Sequence, residues 1–174
     1  MKGDFTRFTH DPTKHYTGVL KQQGRVDLDA DWNEYVEIQE HLERTTNKDV
    51  IGPCGVPKIG GGFLIDPMPD GDLAISPGRI YVHGLLCELE EEASYLGQPD
   101  FPNPPELSPE DGRTDLVYLD VWQRHVTAIE DPGIREKALG GPDTATRIKT
   151  VWQVKVLRGR AGESYTCQDS FPAW

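Results

Sequence analysis

Asp27, Asp29 and Asp31 stand at alternate positions and form the densest array of potential ligands in the chain. Alternate carboxylates converging on a hard cation open a calcium loop. Such a loop also needs glycine at its sixth position and a bidentate glutamate at its twelfth, and here those positions hold Trp32 and Ile38. The acids therefore read as the polar face of a short extended segment, with Val26, Leu28 and Ala30 alternating on the other face. A second acidic run, Cys87-Glu88-Leu89-Glu90-Glu91-Glu92, reads as a solvated strand end rather than a metal site.

The other reactive side chains are scattered. His10, His15, His41, His83 and His125 are isolated, with no pair at a helical metal-binding spacing. Cys54, Cys87 and Cys167 show no Cys-x-x-Cys pattern, so reduced thiols are expected. A serine-nucleophile elbow, a Walker loop and a dinucleotide fingerprint are all missing, and Gly60-Gly61-Gly62 lacks the strand-to-helix context of a phosphate loop. No cofactor and no metal is expected. Asp143-Thr144-Ala145-Thr146-Arg147 is a polar segment suited to tying a loop to its own backbone or to a neighbouring chain through Asx and hydroxyl hydrogen bonds.

These residues need elements to position them. Asp31, three residues before Glu34, has the spacing of a capping box, which predicts a helix from Asp31 or Trp32 to about Asn47. Its apolar stripe would be Tyr35, Ile38 and Leu42, flanked by Trp32 and Val36. Gly52-Pro53-Cys54-Gly55 and the glycine run end the helical part. Short strands follow at 63–65 and 72–76, then a hairpin over 79–90 turning at His83-Gly84. Residues 97–112 hold five prolines and read as a surface loop. Two long strands, 115–128 and 146–157, flank a helical turn at 134–139 ended by Gly140-Gly141-Pro142. The expected fold class is α+β: a helical anchor or oligomerisation region at 1–62, then a small, mostly antiparallel β-rich domain at 63–174 carrying the Pro-rich loop.

Composition limits the function classes. The chain has 174 residues, with 18 Lys and Arg against 29 Asp and Glu, a net charge of −11. That sign opposes non-specific contact with nucleic acid or an anionic membrane surface. No apolar stretch is long enough for a membrane span, and the first residues lack the apolar core of a signal peptide, so synthesis in the cytoplasm is expected. Glycine and proline, 18 and 14 residues, favour turns and irregular connections over a helical bundle.

Several blocks carry a resemblance. Gly18-Val19-Leu20-Lys21-Gln22-Gln23-Gly24-Arg25-Val26-Asp27-Leu28-Asp29-Ala30-Asp31-Trp32-Asn33-Glu34 opens the series. Ser76-Pro77-Gly78-Arg79-Ile80-Tyr81-Val82-His83-Gly84, Val117-Tyr118-Leu119-Asp120-Val121-Trp122 and Ala138-Leu139-Gly140-Gly141-Pro142-Asp143-Thr144-Ala145-Thr146-Arg147 follow in order. Together they resemble a family of uncharacterised-domain proteins encoded with phage-like contractile injection systems. Gly24-Arg25 with Asn33-Glu34 is more loosely similar to the start of phage tail-fibre and baseplate proteins, whose N-terminal part forms a trimeric anchor. The resemblance implies a structural, non-enzymatic role in a phage tail-like particle: a baseplate-attached tail fibre, spike-like appendage anchor or other baseplate component. It also implies chains that continue beyond the stretch matching Cys167 to Trp174.

Three readings follow. In the first, the protein is a homo-oligomer, a trimer, that also binds baseplate proteins of the particle. Its contact surface would comprise Gln22, Gln23, Arg25, Asp27, Asp29, Asp31, Trp32, Asn33 and Tyr35, with assembly contacts from Asp143, Thr144, Thr146 and Arg147. Arginine pairs bidentately with a carboxylate of another chain, and an aromatic such as Trp32 anchors interfaces. The same helical stripe would equally serve packing on the sheet of its own chain. In the second reading the sheet binds a glycan or protein through Tyr118, Trp122 and Trp152, provided these are exposed. In the third, His125 with Asp120 or Asp143 would serve a hydrolase.

Overall fold

Asp29 and Asp31 sit where carboxylates offset the positive end of a helix, and Lys48 where a cation offsets the negative end. Between them runs α1, Asp29–Ile51. The computed structural model describes residues 3–108, 112–160, 162 and 166; Cys167 and the last three residues of the Pro-Ala-Trp stretch lie outside them. Gly52 ends the helix with φ 94°, its N–H donating to the Lys48 carbonyl at 2.9 Å.

The helix is longer at both ends than its sequence signals suggest. Leu28 is the N-cap and makes no side-chain cap, so Asp31 lies inside the first turn instead of preceding it. No strand forms over 26–30. An extended segment there would have no partner for its backbone groups, whereas the helix pairs them internally and places two aspartates at its positive end. Ala30 and Ile38 are the buried residues of α1. Trp32, Tyr35, Val36 and Leu42 are exposed, so most of the expected core stripe faces out.

Among the described residues the strands are β1 Cys54–Gly55, β2 Ile65–Pro67, β3 Leu73–Ile75, β4 Gly78–Val82, β5 Leu85–Leu89, β6 Ala93–Ser94, β7 Leu116–Val126 and β8 Arg147–Leu157. They form three small sheets, ordered β1-β4-β5, β2-β3-β6 and β7-β8. β1 runs antiparallel to β4 with Cys54 opposite Val82, and β3 is antiparallel to both neighbours, pairing Ile65 with Ile75 and Ala74 with Ser94. The fold is therefore α+β, mostly β, and the one α-helix among the described residues lies near the N-terminus. The turn between β4 and β5 falls at His83-Gly84, both with positive φ, 47° and 81°, as a two-residue hairpin of the right twist requires. The helical turn expected at 134–139 is present as two short 3-10 turns, Pro132–Ile134 and Lys137–Leu139, with Gly140 left-handed at the end.

Two compact units divide the chain. The first comprises Met1–Gly55, Tyr81–Leu86 and Gln123–Thr150, the second Val56–Ile80, Cys87–Trp122 and Val151–Trp174. Residues 1–55 of the expected anchor region thus belong to the first unit and 56–62 to the second. The first unit buries Ala30, Ile38, Leu85, Val126 and Ala128. The second buries Ile75, Cys87, Tyr95, Val151, Trp152 and Val154. No helix among the described residues is long and apolar enough to cross a membrane.

Candidate protein interface

In the first unit the chain before α1 is an arm tied to the helix along its length. The Thr6 N–H and hydroxyl both donate to the Asp29 carboxylate, at 3.0 and 2.6 Å. The Thr9 hydroxyl donates to Glu34 Oε2 at 2.6 Å, and Gln39 Nε2 donates to the Thr17 carbonyl at 3.3 Å. The His10 and His41 rings lie 5.7 Å apart. Phe5 packs edge-on against Phe8 and against His125, at 5.3 and 5.8 Å between ring centres. The two Thr6 bonds, with smaller help from the Ala30 and Asp29 N–H groups, hold the Asp29 carboxyl below its ordinary value of 3.8. A carboxylate in the first turn of the helix thus serves as a clamp for the arm.

Beyond the clamp the arm turns outward. The Arg25 N–H donates to the Gln22 carbonyl at 3.3 Å, with Gly24 between them at φ 68°. Lys21 and Asp27 form an exposed ion pair at 2.7 Å, of the kind that contributes little to stability. The turn and Asp31 line a recess of about 240 Å³. Its apolar members do not close over it: Leu20 is 93% and Val26 82% exposed. On the helix next to Asp31, Trp32 is 61% exposed and lies 6.2 Å from the Tyr35 ring. Gln22, Gln23 and Arg25 are exposed, and Asn33 is half-buried.

The structure therefore gathers Gln22, Gln23, Arg25, Asp27, Asp29, Asp31, Trp32, Asn33 and Tyr35 into one arm-and-helix segment. Asp29 is already occupied by Thr6, so its role there is internal. Asp143, Thr144, Thr146 and Arg147 lie ahead of and at the start of β8. The Asp143 and Thr144 side chains are exposed, and Arg147 bonds the carbonyl of its neighbour Thr146 at 3.0 Å. Spacing gave no sign of Thr6, Thr9 and Thr17, because the partners are far away in the chain.

The groups for the rival readings are differently placed. Trp152 is 8% exposed, stands edge-on to Phe63 at 5.0 Å and donates its indole N–H to the Glu88 carbonyl at 3.2 Å. Trp122 and Tyr118 are half-buried, and the Lys155 ammonium sits 5.9 Å from the Trp122 ring centre. Lys155 also donates to Asp120 Oδ2 at 2.6 Å. His125 has a buried Nδ1 that no carboxylate among the described residues bonds. Among the described residues no three His, Cys, Asp or Glu side chains come close enough to hold a metal ion.

The architecture defines an α+β protein in which the long helix α1 leaves an aromatic pair uncovered. Within that class, the chain belongs to DUF6519, a family of unknown function, whose model matches residues 1–170. No curated protein and no solved structure matches it.

Proposed function

We propose that the protein is a non-enzymatic assembly component of a phage-like contractile injection system, an oligomeric, baseplate-attached anchor for a tail fibre or spike-like appendage. The observation that carries this reading is the uncovered Trp32-Tyr35 pair on α1, in the same segment as exposed Leu20 and Val26. Large apolar side chains clustered in water cost free energy that a partner surface recovers, and aromatics with an arginine nearby are the usual anchors of such contacts. Arg25 has no carboxylate partner within its own chain among the described residues, which leaves its fork for one on a neighbour. The net charge of −11 directs the search toward protein partners and away from nucleic acid.

Three copies around an axis, each contributing this segment, would cover the apolar residues. Electron microscopy of particles from cells with and without the gene tests the role. The expected result is particles with sheath and tube intact that lack an appendage or baseplate density. Identical particles in both preparations would sink the proposal.

A further inference from the structure

We infer that the second unit holds a binding site for a monocarboxylate with an aliphatic body. A cavity of about 300 Å³ lies there, at the lower end of the size range for small-molecule sites. Two of its sides are regular structure: Leu73 of β3, and Val117 and Val156 near the ends of β7 and β8 that belong to this unit. Another side is the Pro-rich loop, through Pro105 and Leu107.

Three side chains from separate parts of the unit pin that loop. The Tyr95 hydroxyl donates to the Pro105 carbonyl at 3.0 Å, Arg158 Nη2 to the Glu106 carbonyl at 3.2 Å, and Arg113 Nη2 to the Ser108 carbonyl at 2.6 Å. Pro105 has no N–H, and the Pro105, Glu106 and Ser108 carbonyls are taken, so those carbonyls are not left for a ligand. The wall is thus both apolar and held in place, and a preformed apolar site spends little of its binding energy on ordering.

Charge at the mouth then selects the head group. The Asp115 carboxylate is held by Arg113 Nε and Nη2 at 2.8 and 2.9 Å and by the Gly159 N–H at 3.0 Å. Asp72 is buried and accepts the Leu73 N–H at 2.8 Å and the Leu96 N–H at 3.3 Å. Both acids are satisfied. Among the described residues Arg158 bonds the neutral Glu106 carbonyl through Nη2 and its charge also favours the Asp115 carboxylate, while its other N–H donors carry no hydrogen bond; Glu106 is exposed, where water screens its charge. Arg158 is the cationic side chain of the lining, and the group that its guanidinium fork matches is a carboxylate.

The test is an amide-resolved NMR titration of the full chain with sodium octanoate, 1-octanol and octylammonium as probes. Octanoate is expected to give saturable shifts centred on Leu73, Tyr95, Leu107, Val117 and Val156. Octanol, which lacks the charge, should bind about tenfold more weakly, the worth of one charge-assisted hydrogen bond. Arg158→Gln should bring octanoate down to the octanol level and leave octanol unchanged, and Val117→Trp should fill the cavity and remove both. If circular dichroism finds that variant unfolded, Leu107→Trp on the loop takes its place. Shifts that do not saturate or that scatter over the surface would overturn the assignment, as would octanol or octylammonium binding as tightly as octanoate.

Discussion

Single residues in this chain do long-range work that spacing does not announce. Gln98 is 5% exposed and bridges distant backbone: its Nε2 donates to the Tyr95 and Val154 carbonyls, both at 2.9 Å, and its Oε1 accepts the Val154 N–H at 2.6 Å. Gln98→Leu keeps the volume and strands three buried backbone groups, so unfolding in urea should show a loss of about 3 kcal/mol or more. A polar residue beside Pro99 reads as loop surface, and its burial follows from a strand more than fifty positions away. Asp29 shows the same limit. The alternation of three acids placed it on an extended segment ahead of the helix, and its partner Thr6 left no sign in the spacing. The Thr6 bonds depress the Asp29 carboxyl, so the clamp is fully present above the unfolded carboxylate value of 3.8 and is lost as pH falls through the lower folded value. In an NMR pH titration, Thr6 amide protection should fall together with Asp29 protonation in that acid range. Asp29→Asn should have weak Thr6 protection that no longer follows pH.

At the scale of elements, chain-local signals were sufficient wherever the structure itself is local. The β4-β5 hairpin, the two long strands and the left-handed Gly140 were readable because turn residues and alternation act over a few positions. The start of α1 was misread because Val26-Asp27-Leu28-Asp29-Ala30 fits both a strand and a helix entry, and only the missing partner strand decides between them. What the hairpin turn docks against was also hidden. The Arg44 Nε donates to the His83 carbonyl at 3.1 Å and Asn47 Nδ2 to the Gly84 carbonyl at 3.2 Å, bringing the turn onto α1. A Cβ on Gly84 would collide with the Arg44 carbonyl, and its φ of 81° is one that L side chains rarely adopt. Gly84→Ala should therefore cost about 1–3 kcal/mol in chemical denaturation, whereas Gly24→Ala, with open space around it but a φ of 68°, should pay the smaller backbone strain alone.

For the molecule as a whole, the decisive fact is which apolar residues it leaves in water. The second unit seals Tyr95 and nearly seals Trp152, with Tyr118 and Trp122 half-buried. The first unit buries Ile38 on α1 while Trp32 and Tyr35 stay open, although the periodicity of the helix treats all three alike. Periodicity identifies a stripe but not its cover, which is why the choice between packing within the chain and packing between chains could not be made from sequence. That uncovered segment is the proposed contact between copies. Mass photometry of the purified protein, compared with the Trp32→Ala/Tyr35→Ala double variant, tests this most directly. The account predicts a trimer for the native chain and a monomer for the variant, with superimposable circular dichroism spectra. A native protein that is monomeric at the same concentrations, or a variant that remains trimeric, would contradict it.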